Sequence, residues 1–90
     1  SNKREGLDFL LNKFGIEASQ AAYIGDDLQD IPVMSRIGMP IAVQNAVQAV
    51  KDRSVYITNA SGGHGAVREA VEWLLELRPE KETVYRTITG

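Results

Sequence analysis

Cysteine is absent from the 90 residues, which excludes disulfides, thiolate nucleophiles and zinc-thiolate centres and fits a reducing cytoplasm. Histidine occurs once, as His64, so a zinc site or a nucleophilic triad has no second imidazole or thiol to draw on. No apolar run approaches membrane-spanning length, and the start, Ser1-Asn2-Lys3-Arg4, leads into an amphipathic segment carrying Glu5 and Asp8, unlike a signal peptide. Charge of one sign is also lacking: 10 Lys and Arg stand against 12 Asp and Glu, a net of −2, with no basic block to attract nucleic acid or a lipid surface. Hydrophobic content of 43% is ordinary for a globular chain, and 90 residues allow one small domain. The expectation is a soluble cytoplasmic domain with neither nucleic acid nor membrane as partner.

What is present is a regular alternation of helix and strand patterns. Leu7, Leu10, Leu11 and Phe14 fall at i, i+3, i+4 and i+7, which predicts a helix over 4–14 that Gly15 ends. After a polar loop at 17–20, residues 21–24 form a short strand apolar on both faces, as in a sheet covered on both sides. Leu28, Ile31, Met34 and Ile37 then carry a helix over 28–37, with Pro32 tolerable in its first turn and Gly38 as its stop. A second strand is predicted at 39–43. Asn45 reads as the N-cap of a helix through Val47 and Val50 ending near Lys51 or Asp52, and 55–58 as a third strand. The glycine-rich stretch 59–65 feeds a helix over 66–77 whose buried side is expected to hold Val67, Ala70, Val71, Leu74 and Leu75, with Trp73 in core or interface. Pro79 marks its exit, and no fixed structure is assigned to 80–90. The order implies an α/β fold with crossover units on a three-stranded parallel sheet, at least one edge of it bare.

The sheet is organised around Ala22-Tyr23-Ile24-Gly25-Asp26-Asp27-Leu28-Gln29-Asp30, an apolar strand that delivers three carboxylates at its carboxyl end. In open α/β sheets that end is where ligands bind. Asp26, Asp27 and Asp30 suit a hard divalent cation such as Mg²⁺. The same acids also suit a helix cap and the favourable field of a helix N-terminus. Gly62, Gly63 and Gly65 fit either a close backbone approach to a phosphate or a flexible turn. His64 is a candidate to assist binding. Arg68 and Glu69 read equally as surface charges or as phosphate or subunit contacts, and Lys3 by itself as a solvated side chain.

Together these segments resemble the C-terminal half of a haloacid dehalogenase-superfamily phosphatase, of the capless group acting on 3-deoxy-D-manno-octulosonate 8-phosphate (KDO 8-phosphate). Ser1 to Lys3 with the following helix is similar to the family's lysine segment, and 22–30 with Pro32-Val33-Met34 to its Gly-Asp-Asp segment. Gly62-Gly63-His64-Gly65-Ala66-Val67-Arg68-Glu69 resembles the group's Gly-Gly-x-Gly-Ala-x-Arg-Glu signature. The resemblance implies a three-layer Rossmann-like fold, with 1–77 as the second half of the core and 78–90 as a C-terminal tail. It further implies Asp26 as Mg²⁺ ligand, and Asp27 and Asp30 orienting metal-bound water or neighbouring backbone. Lys3 would neutralise the phosphoryl group, with Lys3, Gly63, His64 and Arg68 meeting the phosphorylated sugar-acid substrate. A homotetramer, in which 83–90 reaches a neighbour's site, is expected on the same grounds. The family's nucleophile and acid–base pair, an Asp-x-Asp motif, occurs nowhere in the sequence. The expected explanation is a fragment that needs an N-terminal half. The competing expectations are a non-catalytic oligomerisation module, one attached to a sugar-nucleotide synthetase such as an acylneuraminate cytidylyltransferase, a phosphatase for a nine-carbon sugar acid phosphate, and a phospho-acceptor receiver domain, whose order of lysine and acids is reversed.

Overall fold

The computed structural model describes residues 8, 9, 11–77 and, as backbone, 87–89. Strands β1 (Ala22–Gly25), β2 (Met39–Ala42), β3 (Tyr56–Ile57) and β4 (Thr87–Thr89) form one parallel sheet in the order β3-β2-β1-β4. Helix α1 takes in residues 8, 9 and 11–14; α2 (Ile31–Met34), α3 (Gln48–Asp52) and α4 (Ala66–Leu77) follow. The α/β class and the parallel sheet are as the sequence implies. Leu7 and Leu10 of the expected first helix face lie outside the described residues; Leu11 is buried and Phe14 is exposed.

The number of strands differs from expectation. Thr87–Thr89, within the stretch to which the sequence assigns no structure, pairs with β1 in the register Ala22↔Thr87, Tyr23↔Ile88 and Ile24↔Thr89. β1 is buried along its length, so backbone groups on its second edge have no water to turn to and require a partner. The β-prone Thr-Ile-Thr supplies one. The expected third strand contracts to Tyr56–Ile57, although Val55 N and Thr58 N still donate to Pro40 O and Ala42 O of the β2 ladder.

Three further expectations are corrected. The helix over 28–37 divides into a 3-10 turn, Leu28–Asp30, and the single turn of α2, because Asp30 is drawn inward and Ser35 Oγ bonds back to Ile31 O. Asn45 does not cap α3; Val47 occupies that position without a side-chain bond, since the Asn45 oxygen is engaged elsewhere. On α4 the buried stripe is Ala66, Ala70 and Leu74, whereas Val67, Val71 and Leu75 are exposed. The apolar arc of that helix is wider than the surface against which it packs, and periodicity reports only the arc. Trp73 lies partly buried at its margin, stacked on Tyr56 with ring centroids 4.5 Å apart.

The core joins Tyr23, Ile24, Val33, Met34, Ile41, Ala42, Val50, Ala70 and Leu74. Gly38 permits the approach of the 3-10 turn Ala18–Gln20: its N–H donates to Ala18 O, and a Cβ there would overlap the Ser19 carbonyl. β1 and β2 are thereby set in register from their first residues, and their carboxyl ends emerge side by side.

Candidate functional site

A cleft of about 260 Å³ opens at that end of the sheet, lined by Ile24, Gly25 and Asp26 of β1 and its turn, by Val43 and Asn45 after β2, and by Gly62, Gly63, Ala66 and Val67. Asp26 is brought there by the shape of the turn that follows β1. Asp30 is fully buried beneath it and, among the described residues, accepts from Tyr23 Oη at 2.7 Å and from the Asp26 and Asp27 amides at 2.9 and 3.1 Å. Gly25 lets this happen. A Cβ at that position would stand 2.6 Å from Met34 Sδ and 3.0 Å from Asp30 Cβ. Burial, and then the bond to Asp30 and the charges of Asp30 and Asp26, push the Tyr23 phenol above its ordinary range, so it stays a donor.

The three acids of the sequence motif therefore take different positions. Asp26 is exposed at the cleft, Asp27 is exposed and caps the turn by accepting from Leu28 N, and Asp30 is buried and holds backbone. Among the described residues no group of three His, Cys, Asp or Glu is disposed to hold a metal ion. Mg²⁺ requires less than that from the protein. It keeps several waters and takes substrate phosphate oxygens, so a single exposed carboxylate at a cleft fits one arm of its octahedron.

The segment that leads into the glycine wall of the cleft is held by residues far apart in sequence. Glu69 accepts from the Asn59 and Ala60 amides at 2.7 to 2.9 Å and from Tyr56 Oη at 2.6 Å, and these bonds hold its carboxyl below the usual range, the tyrosine bond contributing most. Asn45 Oδ1 accepts from Gly62 N at 2.8 Å. Gln44 Nε2 donates to Thr58 O, and Thr58, fully buried, donates from its hydroxyl to Ala60 O. Gly63 and Gly65 adopt φ of 81° and 94°, the left-handed region that favours glycine.

Of the substrate-binding residues expected from the sequence, Gly63 lines the cleft, while His64 and Arg68 are exposed and are not among its lining residues. The Arg68 Nε lies 3.9 Å from Glu72, a surface pair. Lys3 lies outside the described residues. Sequence reasoning missed Asn45 and Glu69 as builders of the site. For Glu69 the signature that ends on it was a signal; for Asn45 there was none, because its partner is 17 residues away.

A family model described as haloacid dehalogenase-like hydrolase matches residues 1–70. The 3-deoxy-D-manno-octulosonate 8-phosphate phosphatase of Salmonella typhi is 44% identical over 75 residues, 83% of this chain and 40% of that protein. The crystal structure of the phosphatase of that name from Yersinia pestis superposes with a TM-score of 0.82 at 38% identity, over 88% of this chain and 43% of the other. That from Moraxella catarrhalis, in complex with magnesium, phosphate and KDO, superposes with a TM-score of 0.77 at 43% identity, over 83% and 43%. The chain thus spans about two-fifths of the length of the curated relatives it matches.

Proposed function

Since the chain belongs to the haloacid dehalogenase-like hydrolase family, we propose that it forms the metal-bearing part of a Mg²⁺-dependent phosphatase for a phosphorylated keto-sugar acid of the KDO 8-phosphate type. The observation that carries this reading is Asp26, exposed at the cleft on a turn whose backbone is held from beneath by buried Asp30. The relatives' names and the magnesium, phosphate and KDO bound to the Moraxella protein support this substrate class.

In this reading Asp26 holds Mg²⁺, which when bound supplies positive charge to the phosphoryl oxygens. Asp30 fixes the Asp26 and Asp27 amides, so the carboxylate is preorganised instead of being ordered at the moment of binding. Asp27 holds the turn by accepting from Leu28 N and is exposed to solvent, free to orient water on a metal held by Asp26. Lys3 adds a second positive charge to the phosphoryl group, and the Gly63 loop, with His64 and Arg68 beside it, meets the sugar acid. The attacking carboxylate, which forms an aspartyl-phosphate and is regenerated by water, and its acid–base partner come from outside these 90 residues. Assembly as a cytoplasmic homotetramer completes the proposal; the expected reach of 83–90 into a neighbouring site is not retained, because Thr87–Thr89 pairs with β1 of its own sheet.

The test is a chimera in which this chain replaces the matching segment of the Salmonella typhi phosphatase. It should release phosphate from KDO 8-phosphate, lose activity with EDTA and regain it with Mg²⁺. Asp26→Asn should abolish that activity while leaving the fold intact. A folded chimera inert toward the substrate with Mg²⁺ present overturns the reading. A non-catalytic oligomerisation module is the second reading. It predicts that Asp26→Asn leaves biological function unchanged.

A further inference from the structure

The carboxamide of Asn45 stands in the wall of the cleft with its two ends in different situations. Its oxygen accepts from the Gly62 amide at 2.8 Å. A backbone N–H can be met only by the oxygen of a carboxamide, so the orientation of the group follows from chemistry. The nitrogen, with two hydrogens to donate, is therefore the end left over, and no protein acceptor among the described residues meets it. Asn45 lines the same cleft as Asp26, and among the described residues it is the one neutral side-chain hydrogen-bond donor to do so. Among the described residues, the rest of the lining besides Asp26 is Ile24, Val43, Ala66, Val67 and the glycine backbone.

We propose that Asn45 is a specificity-determining residue whose Nδ2 donates to a hydroxyl or carboxylate oxygen of the sugar-acid end of the substrate, while its Oδ1 pins the glycine loop. Asn45 has this role only if the protein is the sugar-acid phosphatase proposed above. The division of labour follows from charge. A doubly charged phosphoryl group is matched by the cation at Asp26, whereas a neutral donor suits the uncharged or singly charged oxygens at the other end of the molecule. Holding the oxygen on Gly62 also fixes the direction of the nitrogen, so little side-chain entropy remains to be lost when the sugar binds.

Asn45→Asp separates the two functions of the side chain. It is nearly isosteric and keeps an oxygen for the Gly62 N–H, but the donor is gone and a negative charge is added, so the response of the NH₂ pair in the parent is what identifies the donor. The experiment uses the chimera defined above, with KDO as the probe. In ¹⁵N–¹H spectra the side-chain NH₂ pair of Asn45, assigned by its disappearance in Asn45→Asp, should shift saturably as KDO is added. Asn45→Asp should weaken KDO binding about tenfold, the value of one hydrogen bond, with the Gly62 amide resonance retained. Asn45→Ala, which loses both ends, should weaken binding and also displace the Gly62 resonance. KDO binding to Asn45→Asp within twofold of the parent, or an NH₂ pair that does not move at saturation, overturns the role of Asn45 and leaves the phosphatase reading standing. A parent protein that neither binds KDO nor hydrolyses KDO 8-phosphate overturns both.

Discussion

Removing the Asp30 carboxylate provides a quantitative test of the turn that presents Asp26. Asp30→Ala deletes three accepted hydrogen bonds, at 2.7, 2.9 and 3.1 Å. The donors differ in what they can do next. The Asp26 and Asp27 amides belong to exposed residues and can rehydrate, so each loses only the net worth of a bond to a charged acceptor, about 1.5 kcal/mol at the low end. Tyr23 is 1% exposed, and its hydroxyl is left without a partner, which costs roughly 1–3 kcal/mol. Burying the carboxylate had itself been unfavourable, and relief of that desolvation offsets part of the loss. The expected net is about 3–5 kcal/mol. Asp30→Asn can turn its oxygen to the amides and its NH₂ to the phenol oxygen, so it should cost about 1–2 kcal/mol. Urea unfolding followed by the fluorescence of Trp73 measures both. A double-mutant cycle adds the decisive comparison. Tyr23→Phe in the Asp30→Ala background removes the orphaned hydroxyl, so the two losses should fall short of additivity by that penalty plus the single Tyr23→Phe loss, roughly 2–4 kcal/mol. An Asp30→Ala protein within about 0.5 kcal/mol of the parent, or strict additivity with Tyr23→Phe, would refute the reasoning.

Gly25→Ala should destabilise by about 1–3 kcal/mol and weaken Mg²⁺ binding, because the new methyl meets Met34 Sδ and Asp30 and pushes the latter off the Asp26 amide; unfolding and metal titration on one sample check both. Glu69 has a depressed folded pKa, so its contribution is present above its ordinary value of 4.5 and is lost as the pH falls through the lower, folded value. Stability measured from pH 6 downward should therefore decline more steeply in the parent than in Glu69→Gln, and equal slopes would argue against the loop clamp. Tyr23 has the opposite sign: its folded pKa is raised, so its contribution is present below its ordinary value of 10.0 and is lost as the pH rises toward the folded value. Tyr23→Phe should abolish that alkaline loss in thermal unfolding.

What the sequence determined by itself is what neighbours along the chain decide. An apolar run ending in Gly-Asp-Asp makes a buried strand that delivers acids into a turn, and the i, i+3 relation between Asp27 and Asp30 is enough to close that turn. The acids' division of labour is also partly local, since Asp27 caps Leu28 and Asp30 reaches back to two amides within four residues. Only the tertiary structure decided the rest. Asn45 looked like a helix cap because local chemistry permits it, yet the Gly62 amide, brought across from another crossover, took the oxygen. α4 could bury either half of its apolar arc, and the choice of Ala66, Ala70 and Leu74 over Val67, Val71 and Leu75 depends on how closely it approaches the sheet. Thr87–Thr89 carried no signal beyond β propensity. It became a strand because β1, buried on both faces, has an edge whose backbone groups must be satisfied, and that requirement exists only once the sheet has formed.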